Sequence, residues 1–249
     1  MEGDAYLGEL LAGIIYLLAG ARLALLGIRT GEIPERFLGV SFTMFGASEV
    51  FYCLPEFEIF SDLQTPFYFA ARVAYLPGCV LIAAFTARVF RPDDSWARWL
   101  VWGVAILATA AVGGSALQGN WDGFSLSDGW FWLEWTSYTL PFGWAAAEAF
   151  REYRQARRRV SIGLCEPSVC NRVFLWALFG VIQLAGLFVV IGQYAAYERE
   201  NLFSSTWDIL YSGTILVALV AMWLAFFPPK SYVRWINGAT TQTESASGG

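Results

Sequence analysis

The sequence predicts an all-α, polytopic membrane protein folded as a bundle of seven transmembrane helices, and three observations lead there. Hydrophobic residues make up 57% of the chain and charged ones 15%, with a mean hydropathy of +0.48, too apolar for an ordinary soluble domain. Apolar runs long enough to cross a hydrocarbon core of about 30 Å recur along the chain. Basic residues gather in alternate connections between those runs. With 249 residues, there is room for one such bundle.

The runs lie at residues 5–28, 37–54, 66–88, 99–117, 130–150, 173–194 and 206–227. The first carries Glu9 near its start and Arg22 near its end, where a long side chain can reach the interface. It does not read as a cleaved signal, because Glu2 and Asp4 precede it and no basic region does. Glu49 closes the second run, and Arg72 lies about two turns inside the third. Pro77-Gly78 and Pro141 fall mid-helix in the third and fifth, where freed carbonyls permit kinks. The fifth also holds Glu134, the sixth Gln183, and the seventh Asp208 and Ser212.

Orientation follows from the arginines. Arg29 and Arg36, then Arg88, Arg91 and Arg98, then the cluster Arg151, Arg154, Arg157, Arg158, Arg159 and Arg172, and finally Lys230 and Arg234 all fall on one side. The other connections are acidic (Glu56, Glu58, Asp62, Asp122, Asp128), with Arg199 their lone cation. The N-terminus is therefore expected outside the cell or inner membrane and the C-terminus in the cytoplasm. From Gly238 the chain turns small and polar, which predicts a disordered tail over 238–249 behind a membrane domain of 1–237.

On this orientation Glu9, Arg72, Glu134 and Asp208 each lie within about two turns of the outer end of their helix, and Glu49 lies level with them. A guanidinium at that depth needs a carboxylate, so Arg72 is expected to pair with Asp208 or Glu49 inside a polar outer chamber. The inner halves hold little beyond Ser41, Thr43, Thr86 and Glu148, so no wet path to the cytoplasm is evident. An internal repeat supports the interior placement. The segment 44–50 (MFGASEV) is echoed by 178–184 (LFGVIQL), and Phe90-Arg91-Pro92 with Arg98-Trp99 is echoed by Phe227-Pro228-Pro229 with Arg234-Trp235. Glu49 then matches Gln183, Glu9 can match Glu134, and Arg72 falls one residue from the match to Asp208. Three helices, a linker helix and three more is a parallel repeat of the kind found in some transporters.

A second likeness is carried by Thr65-Pro66-Phe67-Tyr68-Phe69-Ala70-Ala71-Arg72 with Tyr75, by Leu175-Trp176-Ala177-Leu178-Phe179-Gly180, by Ser41-Phe42-Thr43-Met44-Phe45, and by Asp208 followed four residues later by Ser212. These segments resemble helices three, six, two and seven of the microbial rhodopsins. The resemblance implies Arg72 and Asp208 in a central polar network, with Trp176 and Phe179 as pocket walls. Departures from that family are as informative. Ser212 stands where the retinal-bearing lysine would be, Tyr75 where the counterion carboxylate would be, Gly180 for a proline and Gln183 for a pocket tryptophan. A Schiff base needs an amine, and Lys230 is the only Lys among 16 basic residues, beyond the last helix. No covalent cofactor is expected, which leaves a noncovalent retinoid, carotenoid or other lipid-like ligand.

The chain has no His, which removes histidine-ligated haem and most zinc chemistry. Cys165 and Cys170 lie in a cytoplasmic loop and are expected reduced; Cys53 and Cys79 read as packing residues. Trp121, Trp130, Trp132 and Trp135 read as interfacial anchors. No nucleophile and base pair or phosphate loop appears, so an enzyme is not expected, nor is nucleic acid a partner. The bilayer is; a homo-oligomer or a larger membrane complex stays open. Two functions remain: a ligand-binding or sensory seven-helix protein whose site comprises Arg72, Tyr75, Asp208, Glu49, Glu134, Gln183, Trp176, Phe179 and Ser212, or a proton, small-cation or small-solute conduit of the 3+1+3 repeat type.

Overall fold

The computed structural model describes residues 2–118, 126–197 and 204–247; Trp121, Asp122 and Arg199, and the side chains of Glu9, Glu56, Glu58 and Asp208, lie outside the described residues. The helices are α1 (Glu2–Thr30), α2 (Ile33–Cys53), α3 (Gln64–Phe90), α4 (Ser95–Gln118), α5 (Gly129–Val160), α6 (Pro167–Tyr197), α7 (Ser204–Phe226) and α8 (Lys230–Ser247). Two short 3-10 segments, Leu54–Glu56 and Glu58–Leu63, join α2 to α3.

Five stretches among the described residues are long and apolar enough to cross a membrane: Leu10–Thr30, Ile59–Phe90, Ser95–Leu117, Pro167–Ala195 and Ile209–Phe226. The protein is thus an all-helical, multi-pass membrane bundle. Of the expected seven crossings, five are this apolar; α2 carries charges, and the first half of α5 is lowered by Trp, Tyr, Ser and Thr as well as by Glu134. Glu35, Arg36 and Glu49 sit in α2, and α5 holds Glu134, Glu148 and an arginine-rich end.

Helices adjacent in sequence pack side by side, α1 on α2, α2 on α3, α5 on α6 and α6 on α7, while α7 returns to α1 and α3 meets α5. Between the two groups of three, α4 packs on α3 and α5 among the described residues and turns Trp99, Trp102 and Ile106 outward, as a helix against lipid would. The α1–α2 hairpin is the tightest contact. Gly31 turns the chain with φ 79°, and Gly13, Gly20 and Gly27 on α1 face α2, where Gly39 and Gly46 recur at the same heptad spacing. A Cβ on Gly46 would stand 2.7 Å from the Gly13 carbonyl oxygen and from the Leu17 nitrogen, so the two backbones touch.

Pro77 and Pro141 do lie inside helices, in α3 and α5. Beside Pro77, the Gly78 carbonyl accepts a 2.8 Å hydrogen bond from Ser41 Oγ of α2, which ties α2 to α3 at that level. At the start of α5, Asp128 caps the helix by accepting from the Trp130 amide at 3.0 Å. That helix does not stop near residue 150 but runs on to Val160, since arginine is a good helix former and the cluster extends the last turns into the aqueous phase. The last helix, α8, runs from Lys230 to Ser247, elongation adding one hydrogen bond per residue once the first turns exist. No disulfide joins the cysteines among the described residues, and Cys53 and Cys79 are buried in the packing.

Candidate functional site

Arg72 is almost fully buried, as is Glu134, and their side chains approach across the α3–α5 contact with Nε 3.8 Å from Oε1. The sequence favours Asp208 or Glu49 as the partner; among the described residues the ion pair is with Glu134, and the Asp208 side chain lies outside them. The reason is geometric. Arg72 lies about two turns after the start of α3 on the face that also buries Leu76, Cys79 and Ala83, and α5 covers that face. Depth along a helix can be counted from sequence, whereas the direction in which a residue faces depends on packing.

Tyrosines complete the cluster. Tyr138, one turn after Glu134 on α5, donates its hydroxyl to Oε1 of the carboxylate, while the Arg72 guanidinium donates to the Tyr52 hydroxyl from α2. Tyr75 packs edge-on against Tyr138 at 4.5 Å between ring centroids and against Phe45 at 4.9 Å. Glu134 Oε2, by contrast, is buried and has no hydrogen-bond partner among the described residues. A buried carboxylate oxygen left in this state is costly and is the kind of atom that a ligand or water satisfies.

Glu49 and Gln183, matched in the repeat, converge on Tyr16 of α1: the Tyr16 hydroxyl faces Gln183 of α6 and lies within electrostatic reach of Glu49. Glu49 is buried, with its Cβ beside Gly13. Ser212 of α7 faces Gly8 of α1, and its buried hydroxyl has no partner among the described residues. Glu9 and Asp208 belong to the same expected set, but their side chains lie outside the described residues.

Trp176 and Phe179, the expected pocket walls, lie buried side by side in the bundle. Their rings stack on each other, 5.1 Å between centroids and 20° apart, and Phe42 packs on both at 6.4 and 5.9 Å. Phe45, Phe142, Phe85 and Phe226 continue the same aromatic core. Large rings therefore occupy the middle of the bundle, below the Arg72 cluster. A hydrophobic pattern names such residues correctly as interior, but it cannot distinguish a wall from a filling.

Two further groups went unread in the sequence. At the arginine-rich end, Arg91 holds Glu148 of α5 with Nε–Oε1 and Nη2–Oε2 both 2.9 Å, and Asp94 and Arg151 flank the pair at 3.4 and 3.6 Å. These hydrogen bonds from Arg91 to Glu148 push the Arg91 pKa up from its ordinary value. Glu148, an acid at the inner end of an apolar run beside arginines, was the available signal. At the same end, a cavity lies where α1, α6, α7 and α8 meet, lined by Arg22, Arg172, Phe226, Phe227, Pro228, Lys230, Val233 and Arg234. Its residues are scattered from 22 to 234, and only the returning chain brings them together.

No group of His, Cys, Asp and Glu among the described residues has the arrangement of a metal site. No family model matches the chain, no curated protein matches it, and no solved structure matches its fold.

Proposed function

We propose that this chain is a rhodopsin-like seven-helix protein of the cell membrane, N-terminus outside, that binds a small ligand noncovalently in the polar cluster around Arg72 and acts as a receptor or sensor. On this reading α2 and α5 cross the bilayer with the five more apolar helices. Their charges suit such a place: α2 packs between α1 and α3 and turns Glu49 inward, and α5 packs between α3 and α6 and buries Glu134, so neither acid meets lipid.

The observation that carries the proposal is the buried Glu134 carboxylate, one oxygen held by Tyr138 and near Arg72, the other without a partner among the described residues. Glu49 adds a second buried acid, so described carboxylates exceed the single guanidinium of Arg72 in this cluster. Tyr16, Tyr52, Tyr75 and Tyr138 surround them. Acid surplus within tyrosine faces suits a small cationic or amphipathic ligand, because a cation gains from both carboxylate and ring quadrupole. Helices α6 and α7, which pack on each other, with α7 also against α1, are the elements such a ligand would shift.

The conduit reading needs water to reach the arginine-rich end, and Phe42, Phe45, Phe142, Trp176 and Phe179 fill the intervening core. That favours a receptor over a channel. Native mass spectrometry of the protein released from nanodiscs tests the proposal. A bound species of small mass is expected with the wild-type chain and should be lost from Glu134→Gln. An unliganded wild type, or a bound species unaffected by Glu134→Gln, would remove the basis for a site at Arg72.

A further inference from the structure

The cavity at the arginine-rich end is the second place where the bundle looks built to receive something. It measures about 690 Å³, within the ~300–1,000 Å³ usual for ligand pockets. Four of its eight lining residues are cations, Arg22, Arg172, Lys230 and Arg234, and none is acidic. The other four, Phe226, Phe227, Pro228 and Val233, are apolar.

Several cations of the protein have a carboxylate partner. Arg72 meets Glu134, Arg91 and Arg151 share Glu148, and Arg159 meets Glu152, whereas none of the four around the cavity forms an ion pair among the described residues. Like charges held together in one cavity repel, and an anion between them relieves that repulsion.

The chain holds them in place. After α7 ends at Phe226, Pro228 and Pro229 block continuation, and α8 sets off afresh at Lys230. Asn171 of α6 donates to the Tyr232 hydroxyl of α8 at 3.1 Å, which fixes α8, and so Arg234, beside Arg172. From α1 the Arg22 guanidinium lies 4.2 Å from the centroid of the Phe227 ring, a stacked position that orients the planar fork. The start of α8 at Lys230 adds the partial positive charge of a helix N-terminus to the same wall.

From this we infer that the cavity is a binding site for a phosphate-ester anion at the membrane surface, the headgroup of an acidic phospholipid being the form its shape and position favour. Arginine forks and a lysine suit phosphate oxygens, and Phe226, Phe227 and Val233 provide an apolar floor for the glycerol and upper acyl chain. The aqueous setting agrees: Arg22 and Arg172 lie within the terminal turns of spanning helices, and Trp235 of α8 is exposed as an interfacial anchor would be.

The test uses the full chain, delipidated and returned to nanodiscs of phosphatidylcholine alone or with added phosphatidic acid, with thermal unfolding and retained-lipid mass spectrometry as readouts. Phosphatidic acid should raise the midpoint and stay bound. Arg172→Gln with Arg234→Gln should weaken binding about 25-fold, each basic residue near the surface accounting for about five-fold. Arg29→Gln, a cation at the same end outside the cavity, should leave binding unchanged. In pure phosphatidylcholine, inorganic phosphate is added instead; stabilisation there, lost in the double variant, would support the site and assign it to a soluble phosphate. Absence of any effect from both additives would overturn the inference, and so would equal losses in Arg29→Gln and the double variant, which would show surface charge alone.

Discussion

Replacing Arg72 tests whether the cluster is organised by charge. At 3.8 Å, and with an effective dielectric constant of about 20, two unit charges attract by about 4 kcal/mol. Desolvation of both groups offsets part of this, so the pair as a whole contributes less than its Coulomb energy. Removal of one member is different. Arg72→Met leaves Glu134 buried with Tyr138 as its hydrogen-bond partner, and the expected cost is about 3–5 kcal/mol. In Arg72→Met with Glu134→Gln the stranded charge is gone, and about 2–4 kcal/mol of the summed single losses should return as coupling. Reversible unfolding in mixed micelles of dodecyl maltoside and dodecyl sulfate measures all four corners of the cycle. Additivity within about 0.5 kcal/mol would refute the ion pair as a stabilising unit.

Other expectations concern orientation, cofactor and packing. With the N-terminus outside, an impermeant thiol reagent on intact cells should label a cysteine placed at Asp62 and not one placed at Arg157; the reverse pattern would invert the topology. Retinal followed by borohydride should leave no retinyl peptide within α1 to α7, because Ser212 offers no amine and Lys230 lies beyond α7; mass mapping of peptides decides it. Gly46→Ala should lower stability by about 1–3 kcal/mol, as its Cβ would press on the Gly13 and Leu17 backbones. Gly103→Ala, with open space around it, should be neutral or stabilising by about 0.5–1 kcal/mol in the same unfolding assay.

Where a residue's chemistry conflicts with its surroundings, the sequence is informative. Arg72 stands out as a charge in an apolar run, and its burial and acid partner follow from desolvation alone. Which acid it meets does not follow, because helix rotation is set by packing across α3 and α5, and three other carboxylates lie at similar depth. Tyr138 was nearer to hand: it sits one turn from Glu134 on the same helix face, where i and i+4 side chains meet. The heptad glycines were equally readable as a close helix contact once spacing was examined for small residues as well as for hydrophobic ones. Trp176 and Phe179 show the opposite case, since a stacked pair and two separated walls have the same pattern along the chain. The basic cavity is hardest, for Arg22 and Arg234 lie at opposite ends of the sequence.

The glycine contact between α1 and α2 also bears on how the protein is made. As an isolated segment, α2, with Glu35, Arg36 and Glu49, would leave the translocon for lipid only with difficulty, because each charge opposes partitioning. Its predecessor is apolar enough to insert, and Gly31 with Glu32 is all that separates the two helices. Emerging as a closed hairpin, the pair can present the outer face of α1 to the acyl chains while Glu49 turns away from them, so insertion of the second helix is carried by the first. Bulk at Gly39 or Gly46 would then act before folding is complete, reducing the amount of chain that reaches the membrane as well as the stability of what arrives.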